Sequence, residues 1–289
     1  MRKKANFIST IVLIIIFLVG LSVMLYPTFS DWWNKNLASH SITTYNETVA
    51  KMDDGETERL LQQAHEYNEK LAKVYAPMTN SDQVEGYDDI LNISGTGVMG
   101  YISIPFIQVE LPIYHGTSEE VLNIAAGHLK GSSLPVGGKN THAVISAHRG
   151  LPSAKLFTDL DQLVVGDTFT ITILGEVLTY EIEEILIVKP EEVEKLAIFP
   201  DGDYVTLMTC TPYGINTHRL LLRSHRIETV YEHNVKITAD AAQVDSATVI
   251  PIMIIPFLII LFIIWGISGR RRKKMRIDKY TIYKIDVKK

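Results

Sequence analysis

Cys210 is the single cysteine of this 289-residue chain, and its thiol could have several different chemical roles. It follows the strand-like run Asp203–Thr209. Because it is alone in a segment predicted to lie outside the membrane, it can form no internal disulfide. It is therefore an inert buried thiol, an intermolecular link or a nucleophile. Free cysteine is among the most buried residue types, so composition alone leaves the inert interpretation open.

Arg219 is the first candidate for a partner of this thiol. It begins a second strand-like run after an eight-residue segment that contains Pro212, Gly214 and Asn216. If the two runs form a hairpin, Cys210 and Arg219 face each other at its open end. A guanidinium there favours the thiolate and can donate two hydrogen bonds to a substrate oxygen. The alternatives are a solvated strand-end charge at this position and Arg223, on the same strand face, in its role.

Cysteine chemistry also needs an acid/base group, and His148 is the predicted one. It stands at the C-terminal end of a strand-like run and is followed by turn residues, which indicates an exposed strand end. His142 shares that strand face but lies nearer the other end. His115 and His128, each beside a glycine, are predicted to be structural, and His218 is predicted to face away from Arg219.

The two ends of the chain predict membrane segments. Residues 7–26 carry no charge, and twenty residues at about 1.5 Å each span roughly 30 Å. The basic residues Arg2–Lys4 also fit a cleaved signal peptide. The apolar run is, however, longer than the usual 7–15 residues of a signal peptide, and no Ala-x-Ala-like site follows it. Four aromatic residues between Tyr26 and Trp33 instead indicate the edge of a membrane. A second uncharged stretch, Ser246–Gly269, precedes five basic residues.

The charge distribution predicts the orientation and excludes one class of partner. Basic residues flank the outer side of each apolar stretch, so both termini are expected in the cytoplasm and residues from about 30 to 246 outside. Residues 31–246 hold 15 Lys and Arg against 31 Asp and Glu, which argues against nucleic-acid binding. The basic tail 270–289 is expected to contact anionic lipid. No pattern has metal-ligand spacing and no phosphate-binding glycine loop is present, so no metal and no cofactor are expected.

Between the two apolar stretches, the pattern predicts helices followed by a mainly β domain. Residues 31–75 are polar and predict one or two amphipathic helices, broken near 53–55. Short apolar runs cut by Gly and Pro then indicate a barrel or a sandwich. The predicted strands are Val98–Ile104, Val109–Tyr114, Thr141–Ala147, Thr168–Ile173, Leu178–Val188, Tyr204–Thr209 and Arg219–Ile227. The predicted short helices are Ser118–Ala125, Ala154–Leu160 and Glu191–Leu196.

The segment Thr206-Leu-Met-Thr-Cys210, with Arg219 nine positions later, resembles the signature of the sortase family. Further stretches are similar to the class C sortases, which assemble pili, and the second apolar stretch fits that class. Together they cover about 130 residues. These stretches are Met99-Gly-Tyr-Ile-Ser-Ile-Pro105, Leu111-Pro-Ile-Tyr-His-Gly116, Gly131-Ser-Ser-Leu-Pro135, His148-Arg-Gly-Leu-Pro152 and Thr209-Cys-Thr-Pro-Tyr-Gly214.

The resemblance implies a closed eight-stranded β-barrel with Cys210, His148 and Arg219 at one end of a groove. Cys210 would attack the Thr–Gly bond of a Leu-Pro-x-Thr-Gly-like sorting signal on a pilin, and a lysine amine of another pilin would resolve the thioacyl-enzyme. His148 would transfer the protons and Arg219 would hold the oxyanion. The partners implied are pilin subunits and the lipid bilayer. The alternatives are a sortase that anchors surface proteins to the cell wall and a non-catalytic, membrane-tethered binding domain.

One departure from the class C pattern concerns the lid over the groove. That class usually carries an Asp-Pro-aromatic motif, whereas the matching register here reads Ala76-Pro77-Met78. These three residues and Thr209 are the predicted lid or substrate-binding positions, and Asp82 is a candidate replacement for the missing acid. The lid is therefore expected to be weaker or more mobile than is usual in the class.

The predicted organisation has eight segments. They are a cytoplasmic N-terminus (1–6), a transmembrane helix (7–26), an extracellular helical segment (27–75), a lid-like loop (76–97), a sortase-like catalytic β-barrel (98–232), a linker (233–246), a second transmembrane helix (247–269) and a basic cytoplasmic tail (270–289).

Overall fold

The structure is a computed structural model that describes residues 2–93 and 95–230, together with Leu258. The helices are α1 (Arg2–Val49), α2 (Asp54–Leu71), α3 (Pro77–Asn80) and α4 (Glu119–Leu122). The strands are β1 (Val98–Ile104), β2 (Val109–His115), β3 (Ala126–His128), β4 (Thr141–Ser146), β5 (Thr168–Ile173), β6 (Glu176–Val188), β7 (Asp203–Thr211) and β8 (His218–Ile227). Single 3-10 turns lie at Ser81–Gln83, Pro105–Ile107, Leu160–Gln162 and Val193–Leu196.

The eight strands form a closed barrel in the order β1-β2-β3-β4-β7-β8-β6-β5, as the resemblance implied. Closure removes the unpaired sheet edges that an open sheet would expose. The pairs β2–β3 and β4–β7 are parallel, and the other six are antiparallel. The inward-facing side chains of the strands fill the barrel, mainly with Ile, Leu, Val and aromatic residues.

The predicted strands all form, but the sequence reasoning missed β3, which has only three residues. The predicted helix at Ala154–Leu160 is wrong. That segment consists of turns, and Leu156 adopts a left-handed backbone conformation with φ of 42°, which interrupts a right-handed helix. Ala154, Leu156, Phe157 and Leu160 are all buried in the core, so packing rather than helical periodicity determines this segment.

Helix α1 runs without a break through Pro27, so the predicted transmembrane and extracellular segments belong to one helix. Its part Val12–Val49 includes a stretch that is long and apolar enough to cross a membrane. Its C-terminal part packs on the barrel. There Tyr45 donates a hydrogen bond to the Met99 carbonyl (3.0 Å) and accepts one from the Leu174 amide (2.8 Å).

Helix α2 begins at the predicted break. Asp53 caps it by accepting a hydrogen bond from the Glu56 amide at 2.7 Å. The buried Asn68 side chain bonds both the amide and the carbonyl of Leu134, which fastens α2 to the loop after β3. The predicted span 247–269 and the tail lie outside the described ranges 2–93 and 95–230.

Candidate active site

Strand β7 carries Cys210 on the outer face of the barrel. Val205 and Leu207 point into the barrel core, whereas Met208 belongs to a smaller apolar cluster outside it. Because side chains alternate along a strand, Cys210 shares the outer face with Met208. The thiol is free and partly exposed, so it is not a fully buried, inert thiol.

Arg219 lies directly opposite Cys210 in the antiparallel β7–β8 register, which confirms the predicted hairpin. One guanidinium nitrogen, Nη1, donates hydrogen bonds to the carbonyl oxygens of Asn216 (3.4 Å) and His218 (3.2 Å). In the part of the chain that the structure describes, no carboxylate forms an ion pair with Arg219. The remaining N–H groups of the fork are therefore available for a substrate oxygen.

His148 is brought to the same end by the parallel neighbour on the other side of β7. Ser146 of β4 pairs with Met208, and the Ala147 amide donates to the Met208 carbonyl at 3.2 Å. His148 comes two residues after the end of β4, so this register brings it to the barrel end at which Cys210 lies. Ala143 and Ile145 of β4 and Ala147 after it are in the inner core, so the even-numbered residues of β4 face outward.

Strands β7 and β8 thus present a thiol and a guanidinium at one barrel end, and the segment that follows β4 carries an imidazole to the same end. These are the groups that acyl transfer through a thioester requires: a nucleophile, a proton carrier and a donor for the oxyanion. No group of three or more His, Cys, Asp or Glu side chains with metal-binding geometry occurs within residues 2–93 and 95–230, so we assign no metal position.

His218 is next to Arg219 on β8 and faces the opposite side of the strand, as predicted. Three further histidines that the sequence singled out are held by internal hydrogen bonds. His142 is buried, with Nδ1 against the Ala197 carbonyl and Nε2 against the Thr206 hydroxyl, both at 2.7 Å. His128 is buried beside the Tyr87 hydroxyl and the Ser133 carbonyl. Burial, which disfavours the charged imidazolium, lowers the pKa of each of these two side chains to about 4. His115 bonds two backbone carbonyls.

Arg223, the second candidate for the cationic role, is occupied elsewhere. Its guanidinium pairs with Glu183 (2.8 Å) and Glu184 (2.7 Å) and lies over the rings of Phe199 and Tyr204. It is on the outer face, as the period of two predicted, but four residues further along β8 than Arg219. This leaves Arg219 as the candidate beside the thiol.

Sequence reasoning missed a contact that joins the two loops beside the site. Arg149, which follows His148, forms an ion pair with Asp161 and lies over the Tyr213 ring at 5.9 Å. The same ring packs closely on Gly150, where a Cβ would lie 3.0 Å from it and the positive φ of 79° also favours glycine. The β4–β5 loop and the β7–β8 loop therefore support each other. The only signal in the sequence was the charged residue next to the predicted acid/base.

Thr209, a predicted lid or substrate-binding position, lies elsewhere. It is buried on the inner side of β7, and its hydroxyl donates to the Ala147 carbonyl at 2.8 Å. Alternation explains the difference, because residues 209 and 210 must point to opposite faces. Thr209 therefore ties β7 to the end of β4, immediately before His148.

The lid segment packs beside the outer-face apolar cluster. This cluster consists of Val144, Val188, Leu196 and Leu221, with Met78, Leu129, Leu186 and Met208 packed against it. The lid backbone rests on Gly131, where a Cβ would lie 2.8 Å from the Pro77 carbonyl oxygen. Asp82 forms an ion pair with Lys130 at 3.0 Å, so it does not replace the missing acid on Arg219.

Comparison with known proteins identifies related chains. Residues 102–227 match the family model described as the sortase domain. Sortase A of Streptococcus agalactiae serotype III (strain NEM316) is 38% identical over 117 residues, which are 39% of this chain and 47% of that protein, so the match spans about half the length of that relative.

Two solved structures are similar over their whole length. Sortase C1 from Streptococcus agalactiae is 48% identical, has a TM-score of 0.63, and covers 66% of this chain and 100% of its own. Clostridium perfringens sortase C, solved with the C-terminal cell wall sorting motif, is 44% identical, has a TM-score of 0.59, and covers the same shares.

Proposed function

We propose that this chain, which belongs to the sortase family of cysteine transpeptidases, joins pilin subunits through lysine isopeptide bonds. The observation that carries the proposal is the position of Cys210 between Arg219 on β8 and the end of β4, where His148 follows. The similarity to sortase C1 and sortase C supports the pilin-joining class over other members of the family.

In the proposed reaction, the Cys210 thiolate attacks the threonine carbonyl of a Leu-Pro-x-Thr-Gly-like sorting signal. Arg219 donates hydrogen bonds to the oxyanion that develops on that carbonyl oxygen. The Thr–Gly bond then breaks, His148 gives its proton to the departing glycine amine, and a thioester remains on Cys210.

The second half of the reaction restores the enzyme. A lysine amine of another pilin subunit attacks the thioester carbonyl and gives its proton to His148, through the same oxyanion beside Arg219. The carbon–sulfur bond breaks, Cys210 leaves as the thiolate, and the new amide is the isopeptide bond. Each half-reaction moves one proton through His148, so the imidazole ends in its starting state.

We further propose that the protein is held in the cell membrane by α1 and by residues 247–269. Both termini would then be cytoplasmic and the barrel would lie on the outer face. The apolar and largely exposed residues 12–26 of α1 support the first anchor, and the basic residues outside each apolar stretch support the orientation.

The decisive experiment follows the single thiol. The full chain in detergent is incubated with a sorting-signal peptide and analysed by mass spectrometry. A thioacyl adduct is expected on Cys210 and not in Cys210→Ala, whose circular dichroism should match the wild type. Product formation by Cys210→Ala would contradict the mechanism. A second assay adds either a lysine-bearing pilin domain or a wall-precursor amine as the acceptor. A product with the pilin domain alone supports pilin joining over anchoring to the cell wall.

A further inference from the structure

The candidate site lies at a barrel end that can be identified from strand directions. At this end, which we call the site end, β1, β4, β6 and β7 finish and β2, β3, β5 and β8 begin. Three connections therefore meet there: the turn Pro105–Ile107 between β1 and β2, the long segment between β4 and β5, and the loop between β7 and β8.

Helix α1 extends towards the same end. Its Tyr45 bonds Met99, close to the start of β1 at the opposite barrel end. Fourteen residues earlier, or about 21 Å along the helix, Asp31 accepts a hydrogen bond from the Lys155 amide at 2.8 Å. Asn34 donates one to the Ser153 carbonyl at 2.8 Å. Both partners lie in the β4–β5 segment that follows His148.

The apolar part of α1 therefore continues past the site end. Asp31 is only five residues from Tyr26, the end of the predicted span, which corresponds to about 8 Å of helix. The exposed rings of Phe29, Trp32 and Trp33 lie at this level. Tryptophan and other aromatic side chains are enriched where a membrane helix meets the headgroups.

Exposed apolar side chains are concentrated at the site end. Among residues 98–230, seven large apolar side chains are more than half exposed, and six of them lie there; only Val230 is at the opposite end. Phe106 (65% exposed), Val164 (59%) and Val165 (60%) are the ones on the β5, β1 and β2 side, against which α1 packs. We call these three residues the apolar rim. The others are Ile187, Tyr213 and Ile215.

Charge limits where a bilayer could touch this end. Glu191, Glu192 and Glu194 are exposed in the connection that leaves β6 at the site end. Anionic lipid would repel this group. It follows β6, whereas the apolar rim lies in the turn between β1 and β2 and in the segment before β5. The side next to α1 therefore combines the apolar rim and the anchoring helix with only two exposed carboxylates among the described residues near the rim, Glu110 and Asp161, of which Asp161 pairs with Arg149.

We propose that the apolar rim is a membrane-contact surface that rests in the headgroup region of the bilayer crossed by α1. The candidate site would then open close to the lipid surface, where a sorting signal joined to a membrane tail is presented. This inference rests on the proposed function for its substrate, but the contact itself depends only on α1 crossing the bilayer.

The depth of the rim can be measured because the chain has one cysteine. In a Cys210→Ala background, single cysteines replace Phe106, Val164 or Val230 and carry a nitroxide. The full chain is placed in phosphatidylcholine–phosphatidylglycerol vesicles. Labels at 106 and 164 are expected to collide more with oxygen and less with a nickel chelate than the label at 230. Equal access of the chelate to all three labels would overturn the proposal.

A second experiment tests the consequence for turnover. Phe106→Ser/Val164→Ser/Val165→Ser is compared with Val230→Ser on one sorting peptide, either free or linked to a lipid in the same vesicles. The triple variant is expected to lose about fivefold or more on the lipid-linked peptide and little on the free one. An equal loss on both peptides contradicts the membrane contact. Failure of the wild type on both peptides contradicts the proposed function and leaves the depth measurement valid.

Discussion

Arg219 donates hydrogen bonds from one guanidinium nitrogen to the carbonyl oxygens of Asn216 and His218 in the β7–β8 loop. These bonds hold the fork beside Cys210 and leave its other N–H groups free to meet an oxyanion. A lysine ammonium would keep the charge, but it is a point charge that cannot hold the loop carbonyls and a substrate oxygen in one plane. For stabilisation of the oxyanion, the geometry of the guanidinium should therefore matter more than its charge.

We expect Arg219→Lys to lower kcat/KM for the sorting peptide by about a hundredfold, because removing one oxyanion donor has that order of effect. The thermal midpoint should change little, since the side chain is only partly buried and has no ion-pair partner among the described residues. Steady-state kinetics and a melting curve give both values. Activity within about twofold of the wild type would remove Arg219 from the mechanism.

His142 on β4 and His148, two residues after the end of β4, form a matched pair for substitution. We expect His148→Ala to lose about 10²-fold or more of turnover with little change in stability, because a proton carrier is removed from a partly exposed position. His142→Ala should instead lower stability and change turnover little. It leaves the buried Thr206 hydroxyl and the Ala197 carbonyl without their partner, and so lowers the free energy of unfolding by about 1–3 kcal/mol. Unchanged turnover in His148→Ala would show that the acid/base group is elsewhere.

At the scale of elements, the lid is held by few interactions. The one-turn helix α3 has no buried residue, and Met78 is only partly buried at the outer-face cluster. The ion pair between Asp82 and Lys130 is exposed, with 92% of the Asp82 side chain accessible, and such pairs contribute about 0–1 kcal/mol. Among residues 2–93 and 95–230, no carboxylate from the segment 76–97 forms an ion pair with Arg219. The prediction of a weak lid follows from these contacts.

We expect the amides of residues 74–92 to exchange faster than those of β7, and Met78→Ser to accelerate alkylation of Cys210. Asp82→Asn is the matched control and should change the alkylation rate by no more than about fivefold, since it removes only an exposed pair. Hydrogen exchange and the rate of labelling with a thiol reagent measure the two effects. Strong protection of 74–92, or an equal effect of both variants, would contradict a lid held mainly by Met78.

At the scale of the whole molecule, two buried histidines link folding to pH. Burial lowers the pKa of His128 and of His142 to about 4 in the folded chain. An unfolded chain takes up these protons near pH 6.5. Between about pH 6.5 and 4 the unfolded state therefore binds more protons, so stability is full above this window and falls as the pH is lowered.

We expect each of these histidines to reduce the free energy of unfolding by about 1.4 kcal/mol for each unit by which the pH is lowered from 6.5 towards 4. Carboxylates also titrate between about pH 4 and 6.5, so the effect of one histidine is measured as the difference between a variant and the wild type. His142→Gln should make the pH dependence of urea unfolding of the detergent-solubilised chain shallower than in the wild type by one proton. Identical slopes would show that the imidazole of His142 is not kept neutral by the fold.

The features that the sequence predicted correctly depend on local contacts, and those that it missed depend on non-local contacts. Local patterns predicted seven strands, the break before α2 and the hairpin that pairs Cys210 with Arg219. They missed β3, whose three residues show no period. They also assigned a helix to Ala154–Leu160, where tertiary burial and the left-handed Leu156 prevail.

The sequence by itself determined which residue types are available and which of them are near one another along the chain. Only the tertiary structure decided that β4 lies parallel to β7, which brings the end carrying His148 to Cys210 from 62 residues away in sequence. It also decided that Asp82 pairs with Lys130 and that α1 reaches the site end through Asp31. The physical reason is that strand periodicity and turn chemistry depend on adjacent residues. Barrel closure, by contrast, depends on how all the apolar faces can be buried at once.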